Sequence, residues 1–390
     1  MAKLIEITGK ALSGEWGTDD ETGNGIPVLR TTNFTNEGIV DYSNVVTRNI
    51  VKKGIEEKYL RNGDIIIEKS GGSDKQPVGR VIYFEGPEDT YLFNNFTGLL
   101  RVKNQGKWHP RYVFYSLFSN YRSGGTRTFQ NKTTGLHNLK TDDYVSSFNV
   151  TEVDIATQKA ICKQLDLINA IIRMRQQQLQ KLDELVKARF VELFGEPRSN
   201  PFGYPKTMLK NSCKVVTGNT PSRTVAEYYG DYVEWIKTDN IVPGVLNPTE
   251  AAEYLSEKGM MAGRTVDKGS VLMACIAGSV ASIGRVCITD RKVAFNQQIN
   301  AIIPEKYNTL FLYVLLQMSK DYLIEDINMS LKGILSKSKL EGKEFIIPPV
   351  ELQNQFAAFV TQTDKSKAVI QKALDETRLL FDSLMQEYFG

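Results

Sequence analysis

The side chains able to do chemistry are few and scattered. Only two histidines, His109 and His137, and four cysteines, Cys162, Cys213, Cys275 and Cys287, occur in 390 residues, and no two cysteines form a CxxC pair. A zinc centre or a thiol–imidazole pair would have to be assembled from almost nothing, so the cysteines read as buried, reduced thiols. Asp41 followed by Glu56-Glu57-Lys58 has the residue types of a metal-dependent nuclease, but chance readily supplies an acid and an ExK at that spacing. Gly71-Gly72-Ser73 lacks the Lys-Ser/Thr that completes a phosphate-cradling loop. A methyltransferase would need a glycine-rich cofactor loop after a strand and an amide-proline-aromatic run, and the chain has neither. The sequence predicts no catalytic residue and no metal ligand.

What stands out instead is charge placement. Net charge is only +3, yet residues 90–141 contain no Asp or Glu while carrying Arg101, Lys103, Lys107, Arg111, Arg122, Arg127, Lys132 and Lys140. An unpaired basic stretch makes a positive surface suited to phosphates. Arg can bond bidentately to guanine and Asn or Gln to adenine, while Lys, Ser and Thr hold phosphates. The candidate contacts in the first half are Arg30, Thr31, Asn33, Lys69, Arg122, Arg127, Gln130 and Lys132. Those in the second half are Lys237, Thr238, Asn240, Ser279, Ser282, Lys332, Lys337 and Lys339.

Two long segments must position these residues. Residues 155–193 and 350–388 contain neither Gly nor Pro. The first carries Ile161, Leu165, Ile168, Ile172, Leu179, Leu182, Val186 and Leu193 in steps of four and three, the spacing of a heptad seam broken by Arg175 and Arg189. The second carries Phe356, Val360, Ile370, Leu374, Phe381, Leu384 and Tyr388, broken by Thr363, Lys367 and Thr377. The helices are copies: Gln158 matches Gln353 and Glu192-Leu-Phe194-Gly195 matches Glu387-Tyr-Phe389-Gly390, all offset by 195.

The intervening parts also correspond. Leu29-Arg30-Thr31-Thr32-Asn33 parallels Ile236-Lys237-Thr238-Asp239-Asn240, Gly63-Asp64-Ile65-Ile66 parallels Gly269-Ser270-Val271-Leu272, and Gly79-Arg80-Val81 parallels Gly284-Arg285-Val286. Phe93-Asn94-Asn95 parallels Phe295-Asn296-Gln297. Short β-rich runs at 64–67 and 78–84, and helical patterns at 112–118 and 310–317, make each part mixed α and β. The expected division is a first globular domain at 1–152, a long helix at 153–195, a second domain at 196–347 beginning with a breaker-rich linker at 196–205, and a second long helix at 348–390.

A half-apolar helix of some 39 residues, roughly 58 Å long, needs a partner, and the other copy is the obvious one. Antiparallel pairing would put two domains at opposite ends, about a pseudo-twofold axis. DNA repeats every ~34–36 Å, so such domains would read two separated half-sites. Their loops differ, so the half-sites should differ. No apolar run approaches the ~20 residues of a membrane span, and no signal-peptide core opens the chain, so a cytoplasmic location is expected.

These residues resemble a known family. Val216-Thr-Gly218-Asn-Thr-Pro221-Ser, Trp235-Ile-Lys-Thr-Asp-Asn240-Ile, Ser282-Ile-Gly284-Arg and Ile346-Ile-Pro-Pro-Val350-Glu-Leu-Gln353 are similar to the specificity subunits of type I restriction–modification enzymes. The first half departs from that pattern: Leu12-Ser-Gly-Glu-Trp16-Gly replaces the GxTPS-like element, and the Pro-Pro pair is missing before Ile155. The resemblance implies an α+β fold of two target-recognition domains separated by two long antiparallel coiled-coil-like helices. It implies a non-catalytic subunit that selects a bipartite, asymmetric site on double-stranded DNA. It implies two modification subunits as partners, carrying S-adenosylmethionine, and restriction subunits using ATP and magnesium that can join them. The rival readings are a DNA-acting enzyme and a transcriptional regulator with tandem domains; the first lacks a catalytic cluster, and the second lacks a helix-turn-helix pair.

Overall fold

The computed structural model describes residues 1–133, 136–325, 327 and 333–390. The chain forms two compact units, residues 1–174 with 374–390, and residues 175–373. Each long helix is continuous, Ile155–Phe194 and Val350–Phe389, and each contributes one half to each unit.

In the first unit an antiparallel sheet runs Leu12–Ser13, Thr97–Leu100, Ile65–Glu68, Val81–Tyr83. A second runs Thr18–Asp19, Val46–Asn49, Ile26–Leu29, Leu92–Phe93, its last pair parallel. The hairpin Gln130–Thr133 and Leu136–Leu139 adds to Ser70–Gly72, and Ala2–Lys3 pairs with Asn149–Val150. The helix Pro110–Arg122 follows the two four-stranded sheets in sequence, and a shorter helix, Thr141–Ser147, precedes the last strand.

The second unit repeats the plan. Cys213–Thr217, Ile299–Pro304, Val271–Ala274 and Val286–Ile288 form the antiparallel sheet in the same order. Val233–Ile236 and Val293–Phe295 form the parallel pair, and Lys206–Met208 joins Glu344–Ile346. The helix is Thr309–Met318. The expected runs at 64–67 and 112–118 are thus an inner strand and a helix core, and each β-rich run alternates too little to expose a face because Ile65–Glu68 and Val271–Ala274 are buried throughout.

Within each unit the helix halves run antiparallel. In the second unit Arg175 donates to the Ala373 carbonyl, Asp183 pairs with Lys367 at 2.8 Å, and Phe190 packs on Phe356 at 5.5 Å. In the first, the Tyr388 hydroxyl donates to Gln164 at 3.0 Å. Two of the polar breaks in the seam are therefore cross-helix contacts. Leu165, Ile168, Ile172, Phe356, Val360, Leu374, Phe381 and Leu384 are buried as the heptad spacing requires. Ile161, Leu179, Leu182, Val186, Leu193 and Ile370 are only half-buried. At the domain ends the buried face moves by one residue, to Cys162, Phe190 and Phe194. There the helix packs on a domain as well as on its partner: Phe194 lies 4.8 Å from Phe311 edge-on and 5.6 Å from Phe356, and the matched pair Phe389 and Tyr112 lie at 5.1 Å.

One pair of polar residues locks each helix start to its domain. Gln158 Oε1 accepts the His109 N–H (2.8 Å) while Nε2 donates to the carbonyls of Lys107 (3.0 Å) and Val153 (2.8 Å). Gln353 repeats this, accepting from Asn308 N–H (2.9 Å) and donating to the Pro348 carbonyl (2.8 Å). His109 and Asn308 each cap the domain helix, so one buried amide holds two helix starts together. Gln353→Ala would strand a buried N–H and C=O and should cost about 2–4 kcal/mol; Phe194→Ala should cost about 3–5 kcal/mol. Urea unfolding of the full chain checks both, and a change under about 0.5 kcal/mol would contradict these assignments.

Candidate nucleic-acid interface

The acid-free stretch is not an unpaired basic surface, and this corrects the sequence reading. Arg101 forms a two-point pair with Asp64 (2.7 and 2.6 Å) and also donates to the carbonyls of Glu57 and Tyr59. Lys107 meets Glu152 at 2.5 Å, and Arg111 is buried against Asp166 at 2.8 Å. Arg122 pairs with Asp382 at 2.8 Å and lies over the rings of Phe118 and Phe381. It braces the domain helix on the long helix. The acids come from elsewhere in the chain, so local composition could not show them. Lys103, Arg127 and Lys140 stay exposed.

Two predicted base contacts also have a different task. Asn33 is buried: its Oδ1 accepts the Arg30 N–H (2.9 Å), and its Nδ2 donates to the carbonyls of Asp41 (2.9 Å) and Asn44 (3.1 Å). Asn240 does the same with the Lys237 N–H (2.9 Å), Thr249 Oγ1 (3.2 Å) and the Glu250 carbonyl (3.0 Å). With both ends of the amide used inside the protein, neither can read a base edge. Lys237 pairs with Glu253, beneath which Arg223 also binds, at 2.6 Å. Arg30 donates to the Asn44 carbonyl at 3.0 Å. Thr31 gives its carbonyl to Arg80 (3.0 Å), and Thr238 opens the equivalent turn.

The turns sit at the same place in the fold. Each follows a strand whose last carbonyl, on Leu29 or Ile236, accepts the N–H of Asn94 (2.9 Å) or Asn296 (3.0 Å). Across from these, a Cβ on Gly14 would run into the carbonyls of Phe93 and Asn94, and one on Gly218 into those of Phe295 and Asn296. Glu15 and Asn219 then donate to Phe93 and Phe295 (2.8 and 3.1 Å). Gly14-Glu15 is therefore the counterpart of Gly218-Asn219. The element that the first half lacked as a motif is present as backbone geometry.

The remaining candidates gather in two places in the first unit. A cleft of about 690 Å³ is lined by Ser13, Lys69, Asn95, Phe96, Lys140, Asp142 and Asp143. Lys69 donates to Ser13 Oγ at 2.6 Å, and burial, with the nearby charge of Lys58, holds its ammonium below the usual lysine range. A groove of about 350 Å³ is lined by Lys75, Tyr121, Arg122 and Arg127. The hairpin carrying Gln130 and Lys132 borders Lys69, since Leu139 N–H donates to the Lys69 carbonyl (2.8 Å). Gln130 itself is turned to His137 Nδ1 (3.2 Å). Phe96, Asn95 and Lys75 escaped the sequence reading; the matched run Phe93-Asn94-Asn95 ends one residue short of Phe96.

In the second unit Ser279 and Ser282 share a hydrogen bond (3.0 Å) beside the pairing of Ile276–Ala277 with Gly333–Ile334. Lys337 and Lys339 stand exposed on the helix Lys337–Gly342, capped by Ser336, and Lys337 lies 3.5 Å from Glu341. Lys332 lies outside the described residues. Among the described residues no group of three His, Cys, Asp or Glu could hold a metal, and no helix is long and apolar enough to cross a membrane. All four cysteines are buried, which pushes each thiol up to about 12.

Comparison with known proteins places this geometry. Residues 2–184 and 206–377 each match the type I restriction modification DNA specificity domain. The type I restriction enzyme HindI specificity subunit of Haemophilus influenzae is 27% identical over 250 residues, which is 59% of this chain and 52% of that protein, so the match spans about half the relative's length. The S subunit of a type I restriction–modification system from M. genitalium aligns over 100% of this chain and 95% of its own, with a TM-score of 0.57 and 12% identity. A chain from a structure of type I R-M complex assembly and conformational transition aligns over 100% and 96%, with a TM-score of 0.55 and 15% identity. The two structures share the overall fold of this chain, and with the domain matched over both halves the chain belongs to the type I restriction modification DNA specificity domain family, whose domain it carries twice.

Proposed function

We propose that this chain is the DNA-specificity subunit of a type I restriction–modification complex. The observation that carries the reading is the doubled specificity domain: the copies keep their internal hydrogen bonds and differ in their surface loops. Each domain, 1–152 and 196–347, takes one half of a bipartite, asymmetric site on double-stranded DNA. The loops that differ supply the contacts: Lys69, Lys75, Arg127 and Lys132 in the first domain, and Ser279, Ser282, Lys332, Lys337 and Lys339 in the second. Their cations are suited to phosphates, and the amides and hydroxyls beside them to base edges.

The chain itself performs no chemistry. Methyl transfer belongs to two modification subunits carrying S-adenosylmethionine, and cleavage to restriction subunits using ATP and magnesium, in the cytoplasm where the DNA lies. The segments 153–195 and 348–390 dock the modification subunits. Exposed apolar residues support this: Met174 and Val369 are 195 apart, as are Leu185 and Leu380. A partner present in two copies would find an apolar pair at equivalent places on each helix, and burying them would release about 1.5–3 kcal/mol per side chain.

Two measurements test the reading. The purified chain with DNA and S-adenosylmethionine alone should transfer no methyl groups, and should support adenine methylation of a gapped, asymmetric sequence once modification subunits are added; transfer by the chain alone overturns the proposal. Arg127→Ala should weaken DNA binding for all sequences alike and lower the salt dependence by about one counterion. Asn240→Ala should instead lower stability by about 1–3 kcal/mol through the stranded groups of its turn. An Asn240→Ala protein of unchanged stability that has lost one base preference would restore Asn240 as a base contact.

A further inference from the structure

The repeat provides an internal comparison, and in one place the two copies differ in volume. After each capped turn comes a left-handed glycine. At Gly38 (φ +76°) a Cβ would meet the rings of Phe114 and Phe118 at 2.6 and 3.1 Å, whereas at Gly244 (φ +79°) no heavy atom lies within 4 Å. In the first unit this space is filled. Phe114 and Phe118 stack at 5.4 Å, Phe381 is buried, and the Arg122 guanidinium lies over the rings of Phe118 and Phe381.

In the second unit Tyr313 keeps an aromatic ring at the position of Phe114, but two of the matched positions are smaller. Counting from the helix caps His109 and Asn308, Gln317 stands where Phe118 does; along the 195-residue offset, Val186 stands where Phe381 does. The outcome is a cavity of about 380 Å³ between the domain and the helix pair of this unit. That volume is within the range of small-molecule sites, about 300–1,000 Å³.

The cavity is also polar in a specific way. Arg80 in the first unit is held by both oxygens of Glu68, at 3.1 and 3.0 Å. Its counterpart Arg285 has lost that acid, because Ala274 occupies the matched strand position. The Arg285 Nε is buried without a hydrogen-bond partner, and so is Asp364 Oδ2; both residues line the cavity. Burial raises the Asp364 carboxyl above its ordinary range. Val186, Val314 and Val360 supply apolar lining; Asp183, Lys187, Lys320 and Lys367 also line the cavity, with Lys367 3.9 Å from Asp364 Oδ1. Unmet polar atoms at such a site are costly unless a ligand satisfies them.

We propose that this cavity binds a small organic anion, its acid group held by Arg285, a hydrogen-bond donor held by Asp364 and a branched apolar body held by the valine wall. A guanidinium and an anion form the strong, charge-assisted kind of hydrogen bond. The site lies within the second unit and does not rest on the DNA-binding role.

The probe is N-acetylleucine, which carries a carboxylate, an amide N–H and an isobutyl group. Calorimetric titration into the full chain should show saturable one-to-one binding, and the neutral N-acetylleucinamide should bind at least about tenfold more weakly. Arg285→Gln should weaken N-acetylleucine by at least about tenfold. The double variant Val186→Phe, Gln317→Phe, which rebuilds the first unit's packing, should abolish binding while its thermal unfolding shows a folded protein. No saturable binding to the unaltered chain, equal binding of the amide, or unchanged affinity in either variant overturns the proposal.

Discussion

A forty-residue helix that is apolar along one face cannot stand in water by itself. Everything else in this fold answers that constraint. Each long helix divides its burial between two neighbours: the antiparallel half of its copy, and the domain beside it. Leu165, Ile168 and Ile172 are buried on the seam, and Phe190 and Phe194 meet both needs, packing on Phe356 of the copy and on Phe311 of the domain. The change of face between them is about one residue, which on a helix is a rotation of about 100°. A strict heptad seam would serve a free coiled coil. This helix is a coiled coil only over part of its length, and a domain strut over the rest.

That division explains what was legible in the sequence. The seam residues, the repeat and the mixed α and β domains could be read because they rest on local periodicity and on exact spacing between copies. The domain-facing residues could not, since Cys162 and Phe194 depart from the heptad register for reasons that lie far away in sequence. The basic stretch failed for the same cause. Residues 90–141 are acid-free, but Asp64, Glu152, Asp166 and Asp382 reach four of its cations from outside it. Composition measures charge along the chain, whereas electrostatic balance is set in space.

The candidate site was half legible. Comparison of the copies correctly singled out Asn33 with Asn240 and Gly79 with Gly284 as matched. Matching residues across diverged copies, however, marks what both copies need, and both need the same scaffold. Asn33 and Asn240 are matched because each ties its turn to the loop that follows it. Gly14 and Gly218 occupy the same niche although their flanking residues share no motif, because the niche demands only the absence of a Cβ. Residues in which the two domains differ are the ones that alignment of the copies passes over.

The same logic separates rigid from adaptable parts of the chain. Gln158 and Gln353 each satisfy buried groups from two helix starts with a single amide, and neither position can change without stranding those groups. Arg80 and Arg285 show the opposite case. They stand just before matched strands, yet one is closed by Glu68 and the other lines an open volume. Duplication supplied two equal frames; the hydrogen bonds that carry the frame stayed fixed, and the packing behind it was free to part. The surface loops and the hollow of the second unit are two products of that freedom, one facing outward and one inward.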